Sequence, residues 1–150
     1  MVSRSDGGSR VTLAMNLELR PGRYGASARI ELHERDGCAA ALVSVRGWVD
    51  RVALDHLDRS LHDLSTRGIP RIVLDCSRLR HIEFRLVSPL VDSLERFESN
   101  RGGYAVCGLT PRLRESFRVA GCEPGLHCWP SASEVLASSF VRESEREWAS

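Results

Sequence analysis

Apolar residues recur along this chain with two periods, and the change from one to the other marks out its elements. Val11, Leu13, Met15, Leu17 and Leu19 alternate with polar or small neighbours, the spacing of one strand face. Residues 1 to 27 around them are rich in Ser, Gly and Arg, so this extension reads either as an edge strand or as a disordered leader. Ala28, Ile30 and Leu32 alternate with Arg29, Glu31 and His33, which predicts a half-exposed strand ending at the Asp36-Gly37 turn. Cys38 to Arg46 is nearly all apolar and therefore belongs in the middle of a sheet. The period then changes. Leu54, Leu57, Leu61 and Leu64 share one helical face, with Asp50 placed to cap the first turn and Gly68 and Pro70 to stop the last.

The stretch RIVLDCSRLRHIEFRLVSPL, residues 71 to 90, organises the rest. Arg71 to Asp75 is a β-branched run ending on a carboxylate, Leu79 to Ile82 returns to apolar positions, and Leu86, Leu90, Leu94 and Phe97 repeat at helical spacing. Ser88 followed by Pro89 predicts that the regular helix begins a turn late, with Ser88 as its cap. Tyr104 to Gly108 is a further short strand. Thr110-Pro111 opens a helix with Leu113, Phe117 and Ala120 inward, and Gly121 closes it. Leu126 to Trp129 forms a brief last strand, and Ser131 with Glu134 makes a capping box for a helix through Val135, Leu136 and Phe140. The order β-β-α-β-α-β-α-(β)-α predicts an α/β fold: a small mixed, largely parallel sheet of four to five strands packed with about four helices. The folded domain spans residues 28 to 140, followed by a charged tail at 141 to 150.

At 150 residues the chain suits one domain with its own core. Its net charge of +1 provides no global field for nucleic acid or membrane. All 21 basic residues are arginine, so chemistry that needs a lysine, such as a P-loop or a Schiff base, is absent. The five cysteines (Cys38, Cys76, Cys107, Cys122 and Cys128) include no CxxC pair and read as free thiols of a reducing compartment. The longest uncharged apolar run, Cys38 to Val45, is too short to span a bilayer, and no basic region followed by a long apolar core opens the chain. A cytoplasmic location is expected.

Several chemical constellations reduce to ordinary roles. Asp75 at a strand end resembles a phospho-acceptor, but the second aspartate and the lysine of such sites are missing. Capping of the turn through the Ser77 and Arg78 amides is the better account. Cys122, His127 and Cys128 match no common zinc spacing, so no metal or other cofactor is expected. None of the histidines (His33, His56, His62, His81, His127) is tied by spacing to a serine or cysteine nucleophile, and no catalytic role is expected. Arg78, Arg80 and Arg85 beside His81 form a solvated rim or a contact for an acidic protein rather than a nucleic-acid surface. Phe84, between Glu83 and Arg85 at the mouth of a helix, is either a staple packed underneath it or an exposed hot spot.

From about Cys38 to Ala137 the chain resembles the STAS domain, the module of bacterial anti-sigma-factor antagonists. The resemblance is carried by Gly47-x-Val49-Asp50, by Ile72-Val73-Leu74-Asp75-Cys76-Ser77, by His81-Ile82-Glu83, and by Leu109-Thr110-Pro111 followed by Phe117 and Ala120-Gly121. It implies a partner-switching role, in which the antagonist docks on an ATPase-like anti-sigma factor of the GHKL type. In the family an Asp-Ser-Ser-Gly run follows the corresponding strand, and its serine is phosphorylated by the partner. Here Glu83-Phe84-Arg85-Leu86 stands there, so Phe84 and Arg85 occupy a degenerate phosphorylation position.

The expected role is thus a non-catalytic interaction module, a constitutive binder or scaffold, with partner contacts at Asp50, Arg51, Glu83, Phe84, Arg85 and Ser88. The alternative is an accessory subunit of a lipid or ion transport complex that binds an ABC-type ATPase. No membrane insertion is expected, and a homodimer is left open.

Overall fold

The computed structural model describes residues 10–35, 37–99, 103–122 and 127–137. Six strands lie side by side in chain order: β1 (Arg10–Arg20), β2 (Ala26–Arg35), β3 (Cys38–Val49), β4 (Arg71–Ile82), β5 (Gly103–Cys107) and β6 (Cys128–Trp129). The first three form an antiparallel meander, while β3 to β6 pair in parallel. Each parallel connection carries a helical crossover, as parallel strands require: α1 (Arg51–Thr66), α2 (Phe84–Ser99) and α3 (Pro111–Val119). Residues 132–137 form a fourth helical run. The sheet is mixed α/β as expected, with one strand more than the sequence pattern counted. The extra comes from joining both β1, on the outer edge beside β2, and the two-residue β6.

The helical stripes read from the sequence are the ones that fill the core. Leu54, Leu57, Leu61 and Leu64 of α1 and Leu86, Leu90, Leu94 and Phe97 of α2 are buried in one cluster with Val43, Val45, Ile72, Leu74 and Val106 from the sheet. A smaller cluster on the other face sets Val73, Ala105 and Cys107 against Val135, with Leu42, Trp129 and Leu136 packed at its margin. Helices therefore cover one face except along the outer part of β1, where Val11, Leu13 and Met15 are exposed, and the other face only at the β5–β6 side.

Two boundaries differ from the expectation. β4 does not stop at Asp75 but continues to Ile82, because an extra residue is absorbed after Asp75. Ser44 pairs with Asp75 and Arg46 with Arg78, a bulge after which Leu79 returns to the buried face. The second correction concerns α2. It begins at Phe84 rather than at Ser88, with Pro89 inside it and Glu83 alone between strand and helix. A proline there removes the bond its amide would make to the Arg85 carbonyl, at a cost of about 3 kcal/mol. Burying Leu86 and Val87 in the first turn is worth about 1.5–3 kcal/mol each. Packing outweighs the proline, so the loop is short. Phe140 of the final helix, the charged tail, Asp36, Asn100, Gly102 and Leu126 lie outside the described residues.

Candidate protein-interaction site

Val49 pairs with Ile82, so β3 and β4 end level with one another, and α1 and α2 both start from that end of the sheet. Asp50 caps α1 by accepting from the Ala53 amide at 2.9 Å, and its other oxygen meets Arg20 Nε at 3.1 Å. Both carboxylate oxygens are thus engaged within the chain, which fixes the entry of α1. Arg51 is exposed and lines a cleft of about 270 Å3 between the two helices together with Pro89, Asp92 and Arg96.

At the mouth of α2, Glu83 and Arg85 pair across Phe84, with Arg85 Nη2 donating to Glu83 Oε1 at 3.3 Å. An exposed pair of this kind adds at most about 1 kcal/mol, so its effect is to shape the charge around Phe84 rather than to hold the fold. Phe84 is 67% exposed: it is no staple, and it stands in solvent at the first position of the helix. Ser88 is also exposed, one turn further on.

Sequence reasoning passed over an aromatic cluster at the same end of the sheet. The Trp48 ring lies edge-on to Tyr24 at 5.4 Å and tilted against His81 at 5.3 Å. Tyr24 and Trp48 are exposed, as is Val52 on the outer side of α1. The cluster depends on Gly47, whose φ of +95° turns the end of β3 under the β1–β2 connection, and the Trp48 amide donates to Gly25 O at 3.0 Å. A Cβ on Gly47 would fall 2.2 Å from Gly25 O. The available signal was Val52, an apolar residue off the leucine stripe of α1. Tyr24 gave none, because it sits in a Gly- and Arg-rich segment with no period.

A family model described as the STAS domain matches residues 29–135. The chain belongs to the STAS-domain family. Solved structures of the same fold include SpoIIAA of Bacillus in its phosphorylated form, 17% identical, with 75% of this chain and 97% of that one covered at a TM-score of 0.57. An anti-sigma factor antagonist from Mycobacterium paratuberculosis is 20% identical, covering 81% and 97% at a TM-score of 0.60. RsbS of Moorella thermoacetica is 14% identical, covering 78% and 97% at 0.57. No curated protein sequence matches the chain. At these identities the structural likeness establishes the fold.

Elsewhere in this STAS domain the other candidate groups hold the structure together. Asp75 Oδ1 accepts from the Ser77 amide at 3.0 Å, which stabilises the β4 bulge. Cys76, Cys107 and Cys122 are buried, and desolvation pushes their thiols up, to about 12 for Cys107 and Cys122, so they stay protonated. His127 stacks flat on Tyr104 at 4.3 Å and faces Glu98 at 3.7 Å. Among the described residues no group of three His, Cys, Asp or Glu is arranged to hold a metal, and no helix is long and apolar enough to cross a membrane.

Proposed function

We propose that this STAS domain is a non-catalytic, cytoplasmic protein-interaction module of bacterial regulation, antagonist-like toward a GHKL-type anti-sigma factor, whose docking contact is not erased by phosphorylation. The observation that carries the reading is the exposure of Phe84 at the N-terminus of α2. A phenylalanine held in water contributes nothing to the core, whereas seating it in a partner's pocket recovers about 1.5–3 kcal/mol. Arg85 adds to the argument. A cation in the first turn opposes the helix dipole by roughly 0.3–1 kcal/mol, a local cost that makes sense as recognition rather than folding. A phosphate at this place would bring nearly two negative charges and reverse the local field. The Phe84-Arg85 sequence has no hydroxyl to accept it, so the surface keeps one charge state.

Titration of the purified chain against candidate GHKL ATPases tests this. Phe84→Ala is expected to weaken binding about 30-fold or more, equivalent to about 2 kcal/mol, with the melting temperature unchanged. Unaltered affinity would remove Phe84 from the interface. Incubation with the partner and ATP followed by mass mapping tests the second half of the proposal. A phosphate in residues 83 to 88, where Ser88 is the only hydroxyl, would reverse it. Capture of an ABC-type ATPase through the same surface would assign the transport-accessory role instead.

A further inference from the structure

We infer that β1 is the contact between two copies of this chain, which pair antiparallel along it about a two-fold axis. The inference goes beyond the docking reading, because β1 is an edge strand that lies outside the residues, 29–135, matched by the family. Leu13, Met15 and Leu17 stand opposite Leu32, Ile30 and Ala28, and so they lie on the face that carries the main core. The helical cover gives out along β1. Leu19 is 1% exposed and Leu17 half-buried, but Met15 is 44% and Leu13 50% exposed. The core cluster thus runs out onto an apolar ledge at the edge of the sheet.

The backbone of that edge is open as well. An edge strand presents unpaired N–H and C=O groups, and proteins ordinarily blunt it with lysine, proline, inward charge or bulges. β1 is irregular after Val11 and after Glu18, but residues 13–17 between these points keep a regular register and contain neither charge nor proline. A second β1 satisfies the free backbone groups. It also joins the two ledges, because residues directly opposite in an antiparallel pair lie on one face.

A two-fold contact requires a patch that complements itself, and the charges of β1 do so in one orientation. Arg10 stands at one end of the strand, its side chain 80% exposed and only loosely linked to Glu34 at 3.9 Å. At the other end Arg20 is held by Asp50 at 3.1 Å, which leaves Glu18 as the outstanding charge. Antiparallel pairing brings the Arg10 end of each copy to the Glu18 end of the other, whereas parallel pairing sets like against like. The register follows from the same rule. A two-fold at Ala14 puts Leu13 opposite Met15 of the other copy and Arg10 level with its Glu18, while a two-fold at Met15 would set Arg10 against Arg20. A net charge of +1 offers little repulsion between copies.

The test is sedimentation velocity of the full chain from low micromolar to several hundred micromolar at physiological salt, with hydrogen exchange at both ends of the range. A monomer–dimer equilibrium is expected, of the weak kind supported by about 1,000 Å2 of total contact. The β1 amides should gain protection as the dimer fills. Met15→Arg should weaken association about tenfold or more with an unchanged melting temperature in the dilute monomer, and Leu13→Ser, a milder change, should weaken it in the same direction. Arg10→Glu and Glu18→Arg should each weaken it, and an equal mixture of those two variants should associate more tightly than either alone. Phe84→Ala should leave the dimer intact, which keeps this contact separate from the docking one. Three results would overturn the inference. The first is a monomer at every concentration, including one whose β1 amides are always protected, which would give the edge to this chain's own termini. The others are a dimer that both Met15→Arg and Leu13→Ser leave unchanged, and a dimer that Arg10→Glu strengthens.

Discussion

The two phenylalanines of α2 stand in opposite surroundings. Phe97 is completely buried, whereas Phe84, at the other end of the same helix, is 67% exposed. Seven residues at about 100° each bring Val91 to within about 20° of Phe84 around the helix, yet Val91 is fully buried, so direction alone does not account for the exposure of Phe84. The same side chain thus stabilises the fold at one end and is available for recognition at the other. The local difference is backbone position: Phe97 lies over the sheet, and Phe84 projects beyond the strand ends.

Truncating each ring should separate the two roles. Phe97→Ala is expected to cost about 3–5 kcal/mol, read as a shift in the urea midpoint, and to weaken partner binding only through the unfolded fraction. Phe84→Ala should stay within about 0.5 kcal/mol of the parent in the same measurement. Equal destabilisation by both would collapse the distinction and make Phe84 structural.

The end of the sheet proposed for docking also has a rigid support, and Gly47 tests it. Gly47→Ala puts a methyl 2.2 Å from Gly25 O at a positive φ, so a loss of about 2 kcal/mol or more is expected. The Tyr24–Trp48 contact should loosen with it, visible as a change in tryptophan fluorescence. Gly37→Ala is the control. Its φ is also positive, but a Cβ there meets nothing within 4 Å, so only the backbone term of about 1 kcal/mol should remain. If the two variants lose equally, contact with Gly25 is not what fixes this end.

A smaller effect with the opposite sign is expected at Pro89. Pro89→Ala restores an amide to α2 and should raise stability by roughly 1 kcal/mol, less than the full proline penalty because the surrounding turn has adapted. A loss of stability would mean that the ring packs usefully in the cleft shared with Arg51.

What the sequence showed clearly was whatever repeats. The leucine stripes of α1 and α2, the apolar β3, and the Asp50 and Thr110 caps are periodic or local signals, and each is present in the structure. The start of α2 is not legible locally, because Ser88-Pro89 signals a late start while the burial of Leu86 and Val87 that sets the early one depends on contacts far along the chain. Likewise Asp75 read as the end of a strand because a bulge breaks the period of two, although Leu79 and Ile82 remain inward. At the candidate site, Glu83, Phe84 and Arg85 were legible as a motif. The Tyr24–Trp48–His81 cluster was not, because three separate strands and turns assemble it.

The last prediction concerns pH and rests on the buried thiols, which belong to the fold and not to the docking end. Burial pushes Cys107 and Cys122 up to about 12, and Cys76 also upward, while an unfolded thiol titrates near 8.5. Below about pH 8.5 both states hold these protons, and the stability contribution is complete. Above it the unfolded chain releases protons that the folded one keeps, so stability falls as pH rises toward 12, by at most about 1.4 kcal/mol per pH unit for each thiol. Urea midpoints between pH 7 and 10 should therefore decline. Cys107→Ala should be less stable at pH 7 yet decline less steeply, by one thiol's share. An unchanged slope would show that Cys107 reaches water in the native state. Phe84 has no proton to lose, so partner affinity measured on fully folded protein should not follow this decline on its account. A parallel loss would tie docking to the core and remove the separation between the two ends of α2.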